Sequence, residues 1–186
     1  FVIMWVFGYG SLTWRPGFPY LQRVVGYISG YERRFWQNSL PCRGAPDKPG
    51  RVPLLVPSED PNARVWGTAY EIPEDQEAPI RAQLDDRERL YTNRKYLSVY
   101  DNNHRIIVSS ALVYIGHNAG YDMPLDALAQ HIADCHGTRG SNADYLFKLA
   151  EFMRSEVPDE TDEHLFALEA QVKYILEKRK NIKDTS

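Results

Sequence analysis

Seven short runs rich in Val, Ile, Tyr and Trp, each ended by Gly, Pro, Asn or Asp, fill residues 1–116. They are Val2–Phe7, Arg23–Ile28, Glu32–Gln37, Arg51–Val56, Val65–Ile72, Lys95–Tyr100 and Arg105–Ile115. Turn residues separate them: Gly30, Pro41, Pro46, Pro49-Gly50, Asp60-Pro61-Asn62 and Asn102-Asn103. Strands this short and this regularly punctuated cannot each cover a large face. They predict a barrel or a strongly curved sheet.

The first run leads straight into Phe7-Gly8-Tyr9-Gly10-Ser11-Leu12. Glycine at a strand end lets the backbone approach another group closely. Ser11 adds a hydroxyl beside a row of main-chain N–H groups. A turn of this kind can wrap a small anion or carboxylate without a charged side chain. The same residues also suit an ordinary tight turn.

One helix interrupts the strands. Pro79 suits its first turn, and Ile80, Leu84 and Glu88 recur at i, i+4 and i+8, on one face. Glu88 is therefore expected on an apolar stripe, where lost solvation would raise its pKa and suit it to general acid–base work. The alternative is that Glu88 ends the helix and pairs with Arg81 or Arg94 at the surface.

After Gly120 the pattern turns helical. Pro124 opens a segment with Leu125, Leu128, Ala129 and Ile132 on one stripe, stopped at Gly137. Ser141 with Asp144 resembles a capping box and opens a helix that buries Tyr145, Leu149, Phe152 and Met153. A last helix, about Thr161 to Lys180, presents Leu165, Leu168 and Val172 and is expected to lie as a lid on the sheet. Asn181–Ser186 reads as a frayed polar tail. Residues 1–180 are expected to form a single α+β domain, strands first and helices later.

Composition excludes some functions. A net charge of −3 with scattered basic residues argues against a nucleic-acid or anionic-membrane partner. Phe1–Phe7 is too short for a membrane span and lacks a basic lead-in, so it is not read as a signal peptide. Cys42 and Cys135 lie far apart with no metal spacing, which fits a reducing, cytosolic setting. The histidines (His104, His117, His131, His136, His164) form no ligand pattern, so no metal is expected. Ser11 lacks the flanking glycines of a nucleophile elbow, and Gly8/Gly10 lack the third glycine of a dinucleotide site. Arg43 and Arg51 lie in a Gly/Pro-rich loop. There they suit either bidentate binding of a carboxylate or plain solvation.

Taken in order, these segments resemble the ChaC family, the glutathione-specific γ-glutamylcyclotransferases. The likeness runs through Met4-Trp5-Val6-Phe7-Gly8-Tyr9-Gly10-Ser11-Leu12, Phe18-Pro19-Tyr20 and Val25-Gly26-Tyr27. It continues in Arg33-Arg34-Phe35-Trp36-Gln37, Arg43-Gly44, Pro49-Gly50-Arg51 and Val65-Trp66-Gly67. It resumes at Leu84-Asp85 with Arg87-Glu88, then Gly140, Asn142, Tyr145-Leu146 and Asp162 to Glu169. It is nearest to the shorter branch of that family.

The resemblance implies a small closed β-barrel with surrounding helices. It also implies conversion of glutathione to 5-oxoproline and Cys-Gly with no cofactor. Within it, Glu88 matches the catalytic acid/base, and Gly8, Tyr9, Gly10, Ser11, Leu12 and Thr13 match the substrate-binding loop. Tyr145 is a weaker candidate for orienting substrate. Where the family places glycines after the glutamate, this chain has Arg89-Leu90-Tyr91-Thr92, so its turn there must differ. Rival readings are the same chemistry on other γ-glutamyl amino acids or amines, a non-catalytic γ-glutamyl-binding module, and a protein-interaction role for the last helix. The sequence leaves monomer and homodimer equally open.

Overall fold

Alternation along Ile106–Ile115 shows how the strands are organised. In the computed structural model, which describes residues 3–89, 91, 93–117 and 122–184, Ala111, Val113 and Ile115 join one buried cluster and Leu112 and Tyr114 another. Successive strand residues point to opposite faces, so this strand is covered on both sides.

Five strands close a barrel in the order β1 (Trp5–Gly8), β5 (Arg64–Glu71), β2 (Gln22–Ser29), β6 (Asn93–Tyr100), β7 (Ile106–Ile115). All pairs are antiparallel except β7 with β1, whose parallel pairing completes the ring. Closure leaves no open sheet edge among these five. The first cluster draws on all five strands, through Phe7, Ile28, Ala69, Val99 and Val113 among others, and is the barrel interior. The second lies on one outer flank. There Met4, Val6, Tyr70, Ile72, Leu112 and Tyr114 meet Ile80 and Leu84 of α1 (Glu77–Arg87). The expected closed barrel and its one interrupting helix are both present, with strand bounds close to those read from the sequence.

A five-stranded barrel is narrow, and one glycine shows it. A Cβ on Gly67 would lie 2.2 Å from the Gly8 carbonyl oxygen and 2.7 Å from Phe7 Cζ. Only glycine lets β5 press this closely on β1 at that level.

The chain divides into two compact units. The first, drawn from Phe1–Glu32 and Leu55–His117, holds the barrel and α1; the second comprises Arg33–Leu54 and Asn118–Ser186. In the second unit β3 (Tyr31–Ser39) and β4 (Gly50–Pro57), which begin and end in the first, form a two-stranded sheet. Three helices accompany them: α2 (Leu125–Asp134), α3 (Asn142–Glu156) and α4 (Glu163–Asp184). A short hairpin, β8 (His136–Gly137) and β9 (Gly140–Ser141), separates α2 from α3 and is not foreseen from the sequence.

The Ser141 hydroxyl accepts from Asp144 N, so the expected cap forms. Asn142 is fully buried. Its Oδ1 accepts from Arg51 N at 2.6 Å and its Nδ2 donates to Arg51 O at 2.7 Å, so a side-chain amide pairs with the main chain as a strand would.

Two expectations are corrected. The apolar stripe of α4, expected to lie on the sheet, packs mainly against α2 and α3, and in its first turn His164 Nε2 accepts from Phe35 N of β3. The helix also continues through Asn181 to Asp184, so the start of the supposed polar tail is helical. The expected turn into helix at Gly120 lies outside the described residues. Among the described residues no helix is long and apolar enough to cross a membrane.

The close approach at Gly67 yields a test. Gly67→Ala inserts a methyl against backbone that cannot yield as a side chain does. It should cost about 1–3 kcal/mol of stability, read as a lowered denaturation midpoint with an unchanged m value.

Candidate active site

The chain reverses as soon as β1 ends. Ser11–Thr13 form one 3-10 turn, closed by Thr13 N and Thr13 Oγ1 donating to Gly10 O at 3.0 and 2.8 Å and by Arg15 N donating to Ser11 O at 2.8 Å. This brings Leu12 back over Gly8: a Cβ on Gly8 would stand 2.2 Å from Leu12 Cβ. Gly8 is thus required by contact, and the turn folds as it does because that side chain is missing.

Aromatic hydroxyls from the barrel wall hold the turn. Tyr70, on β5, donates to Leu12 O at 2.6 Å. Desolvation raises the Tyr70 pKa above its ordinary value, which keeps the phenol a donor. Tyr9 turns into the barrel interior and donates to Tyr114 O at 2.8 Å. The Tyr114 hydroxyl in turn donates to Asp85 of α1 at 2.6 Å, and burial together with that carboxylate pushes its pKa up. Tyr9, Leu12 and Thr13 are buried, while Gly10 and Ser11 are half-buried. The loop therefore presents Gly10-Ser11 outward and spends its apolar residues on the fold.

Glu88 lies one residue past α1. Its backbone has left the helix (φ −101°, ψ 24°), although Glu88 N still donates to Leu84 O at 2.7 Å. The line Ile80–Leu84–Glu88 is real in register, and the first two are buried, but the third is the C-cap and not a member of the stripe. Its side chain is 14% exposed and pairs with Arg87, Nε to Oε1 at 3.2 Å. The expected surface partners are engaged elsewhere, Arg94 with Asp85 and Arg81 with the Tyr96 hydroxyl. The chain then turns at once, Tyr91 N donating to Glu88 O at 2.7 Å. Leu90 and Thr92, which stand where the family has glycines or their neighbours, lie outside the described residues.

Arg87 brings the two candidate segments together. It donates through Nη2 to Ser11 Oγ at 3.0 Å and through Nη1 to Pro16 O at 2.6 Å while Nε faces Glu88. The sequence marks Arg87 only by its place beside Glu88 within the family likeness and assigns it no role.

The remaining candidates belong to the second unit. Tyr145 is buried, edge-on to Phe35 with ring centroids 6.3 Å apart and with the Arg43 guanidinium 5.4 Å from its ring centroid. Arg43 donates to Ser141 O and Arg51 to Trp36 O. Both arginines are buried, which removes plain solvation from the two alternatives that the sequence left open for them.

Arranged this way, the first unit offers an ion-paired carboxylate, a serine hydroxyl and a glycine-bounded turn, linked by one guanidinium. That set can accept and return a proton beside a bound polar group. Ser11 Oγ accepts from the Arg87 guanidinium, which is no base and cannot take its proton as the histidine of a serine hydrolase does.

Comparison with known proteins adds to this. A family model described as ChaC-like protein matches residues 4–175. The glutathione-specific gamma-glutamylcyclotransferase 1 of Danio rerio is 40% identical over 174 residues, covering 90% of this chain and 87% of that protein. The glutathione-specific gamma-glutamylcyclotransferase of Schizosaccharomyces pombe is 35% identical over 192 residues, covering 94% and 95%. Among solved structures, a selenomethionine-labelled gamma-glutamyl cyclotransferase specific to glutathione from yeast superposes with a TM-score of 0.82 at 29% identity. That match covers 92% of this chain and 96% of the yeast one.

The Tyr70 anchor is open to a direct check. Tyr70→Phe removes the donor to the Leu12 carbonyl and leaves a buried acceptor unpaired. Stability should fall by about 1–3 kcal/mol, measured by chemical denaturation, with amide exchange rising first in residues 10–15.

Proposed function

The chain belongs to the ChaC-like family, and from that premise we infer that it is a γ-glutamylcyclotransferase acting on glutathione. It releases 5-oxoproline and Cys-Gly. The observation that carries the reading is family likeness across residues 4–175, together with the convergence of Ser11 and Glu88 on one guanidinium.

The substrate brings its own nucleophile. The α-amine of the γ-glutamyl group attacks the γ-carbonyl carbon and closes a five-membered ring. The bond from that carbon to the cysteinyl nitrogen then breaks. Because attack is intramolecular, holding the chain folded supplies much of the rate. At neutral pH the amine is an ammonium ion and is inert until a base takes a proton. Two protons must leave the α-nitrogen, and the departing nitrogen takes up two as it becomes an ammonium. A single group that accepts and returns protons therefore suffices and ends unchanged; no water is consumed.

Glu88 takes that role. Its carboxyl faces Arg87 Nε at 3.2 Å, and in its ionised form it acts as the base. The turn from Gly8 to Thr13 binds the γ-glutamyl end, with main-chain N–H groups at Gly10, Ser11 and Leu12 directed to the α-carboxylate or to the oxyanion formed on ring closure. Tyr9, buried in the barrel, fixes the level of the loop. A reducing cytosolic setting fits Cys42 and Cys135, both thiols.

The test is Glu88→Gln, which keeps size and hydrogen-bonding shape and removes basicity. The expected result is folded protein, glutathione affinity within about threefold, and 5-oxoproline release slowed at least ~10²-fold. Near-normal turnover by that variant would refute the assignment.

A further inference from the structure

We propose that Arg87 is a positioning residue for the cyclisation. Its fork fixes the direction of the Glu88 carboxylate relative to the Gly8–Thr13 loop. The inference rests on the function proposed above and adds to it the element that holds base and loop in one geometry.

The argument is one of planarity. A guanidinium is rigid and flat and presents donors along fixed edges. Arg87 uses its three nitrogens on three different groups: Nη1 on Pro16 O at 2.6 Å, Nη2 on Ser11 Oγ at 3.0 Å, Nε on Glu88 Oε1 at 3.2 Å. The first two contacts, a main-chain carbonyl and the hydroxyl of the loop's own turn, set the plane and rotation of the group. The third edge is then determined, and Glu88 meets it.

Glu88 needs such a constraint. As the C-cap it follows the last helical residue, with non-helical φ and ψ, and the chain turns again at Tyr91. The helix therefore does not dictate where this carboxylate points. Arg87 itself is still helical and its side chain is 15% exposed, so the fork is anchored on a rigid element and largely out of water. Contact with Ser11 acts in the other direction too. Because Ser11 Oγ accepts from Nη2, its own O–H stays available as a donor to a group other than Arg87.

A plainer role is that Arg87 supplies positive charge at the C-terminal end of α1, where any cation is favourable. Lysine would serve that role equally well. It carries charge and reach but no fork, so Arg87→Lys separates the two. A change in placement alone can cost on the order of 10²-fold in rate.

The experiment measures kcat and KM for 5-oxoproline release from glutathione in unchanged protein, Arg87→Lys and Arg87→Ala, with thermal melts of each. Arg87→Lys should melt like the unchanged protein, keep KM within about threefold and lose roughly 10–100-fold in kcat. Arg87→Ala should lose more, and added guanidinium ion at sub-denaturing concentration should recover part of its kcat where methylammonium does not. Unchanged kcat in Arg87→Lys, or a loss in Arg87→Ala that guanidinium fails to recover, overturns the proposal. If the unchanged protein releases no 5-oxoproline, the proposed function falls and this inference with it. If it does and the arginine variants behave as charge replacements, only the inference falls.

Discussion

Leu12 lies against Gly8 because Gly8 carries no Cβ, and much else in the first unit follows from that contact. The reversal it permits folds the chain back along the outer flank of the barrel, so that the turn and α1 cover the same side. Gly67 meets Gly8 from the interior, where a methyl would strike the Gly8 carbonyl. One residue is thus pressed from both faces of a narrow barrel. A bulkier residue at Gly67 would press on β1, and a side chain at Gly8 would press on the turn.

The flank that receives this turn is held by hydroxyls. Tyr70 holds the Leu12 carbonyl, Tyr9 holds that of Tyr114, and the Tyr114 hydroxyl reaches Asp85 on α1. Buried phenols combine a large apolar body with one directed donor. They can therefore fill the core and fix the loop with the same side chain. The chain has twelve tyrosines, and Tyr9, Tyr70 and Tyr114 are used in this way. In the second unit the corresponding device is the Asn142 amide, fully buried and bonded to both main-chain groups of Arg51.

The helix that ends at Arg87 joins the two candidate segments. Its apolar stripe, Ile80 and Leu84, fixes α1 on the flank. The residue after its last turn is then delivered beside the glycine loop. A carboxylate at a helix terminus has more directional freedom than one in mid-helix. The ion pair with Arg87, itself tied to Ser11 and Pro16, limits that freedom. Arg87 thus ties together the two segments on which the proposed function rests.

Seven strands, α1, the Ser141 cap and the apolar stripes of α2 to α4 were legible in the amino-acid order. Each depends on interactions a few residues apart: alternation, i to i+4 spacing, a cap three residues before its partner. Glu88 drew notice by its register with Ile80 and Leu84, although it is the C-cap and not part of their stripe, and the Gly8–Thr13 stretch drew notice by its glycines. The order of strands in the barrel was not legible, because β1 pairs with β5 and β7 through contacts some 60 to 100 residues apart. Nor was the service of Arg87, whose partners at Pro16 and Ser11 lie 71 and 76 residues away. The burial of Arg43 and Arg51 was hidden for the same reason: their loop looks solvated until distant Ser141 and Asn142 are brought to it. Local order determined which pieces form and which residues are chemically unusual. Only the folded chain decided which of those residues meet, because a hydrogen bond acts over about 3 Å of space and is indifferent to separation along the chain.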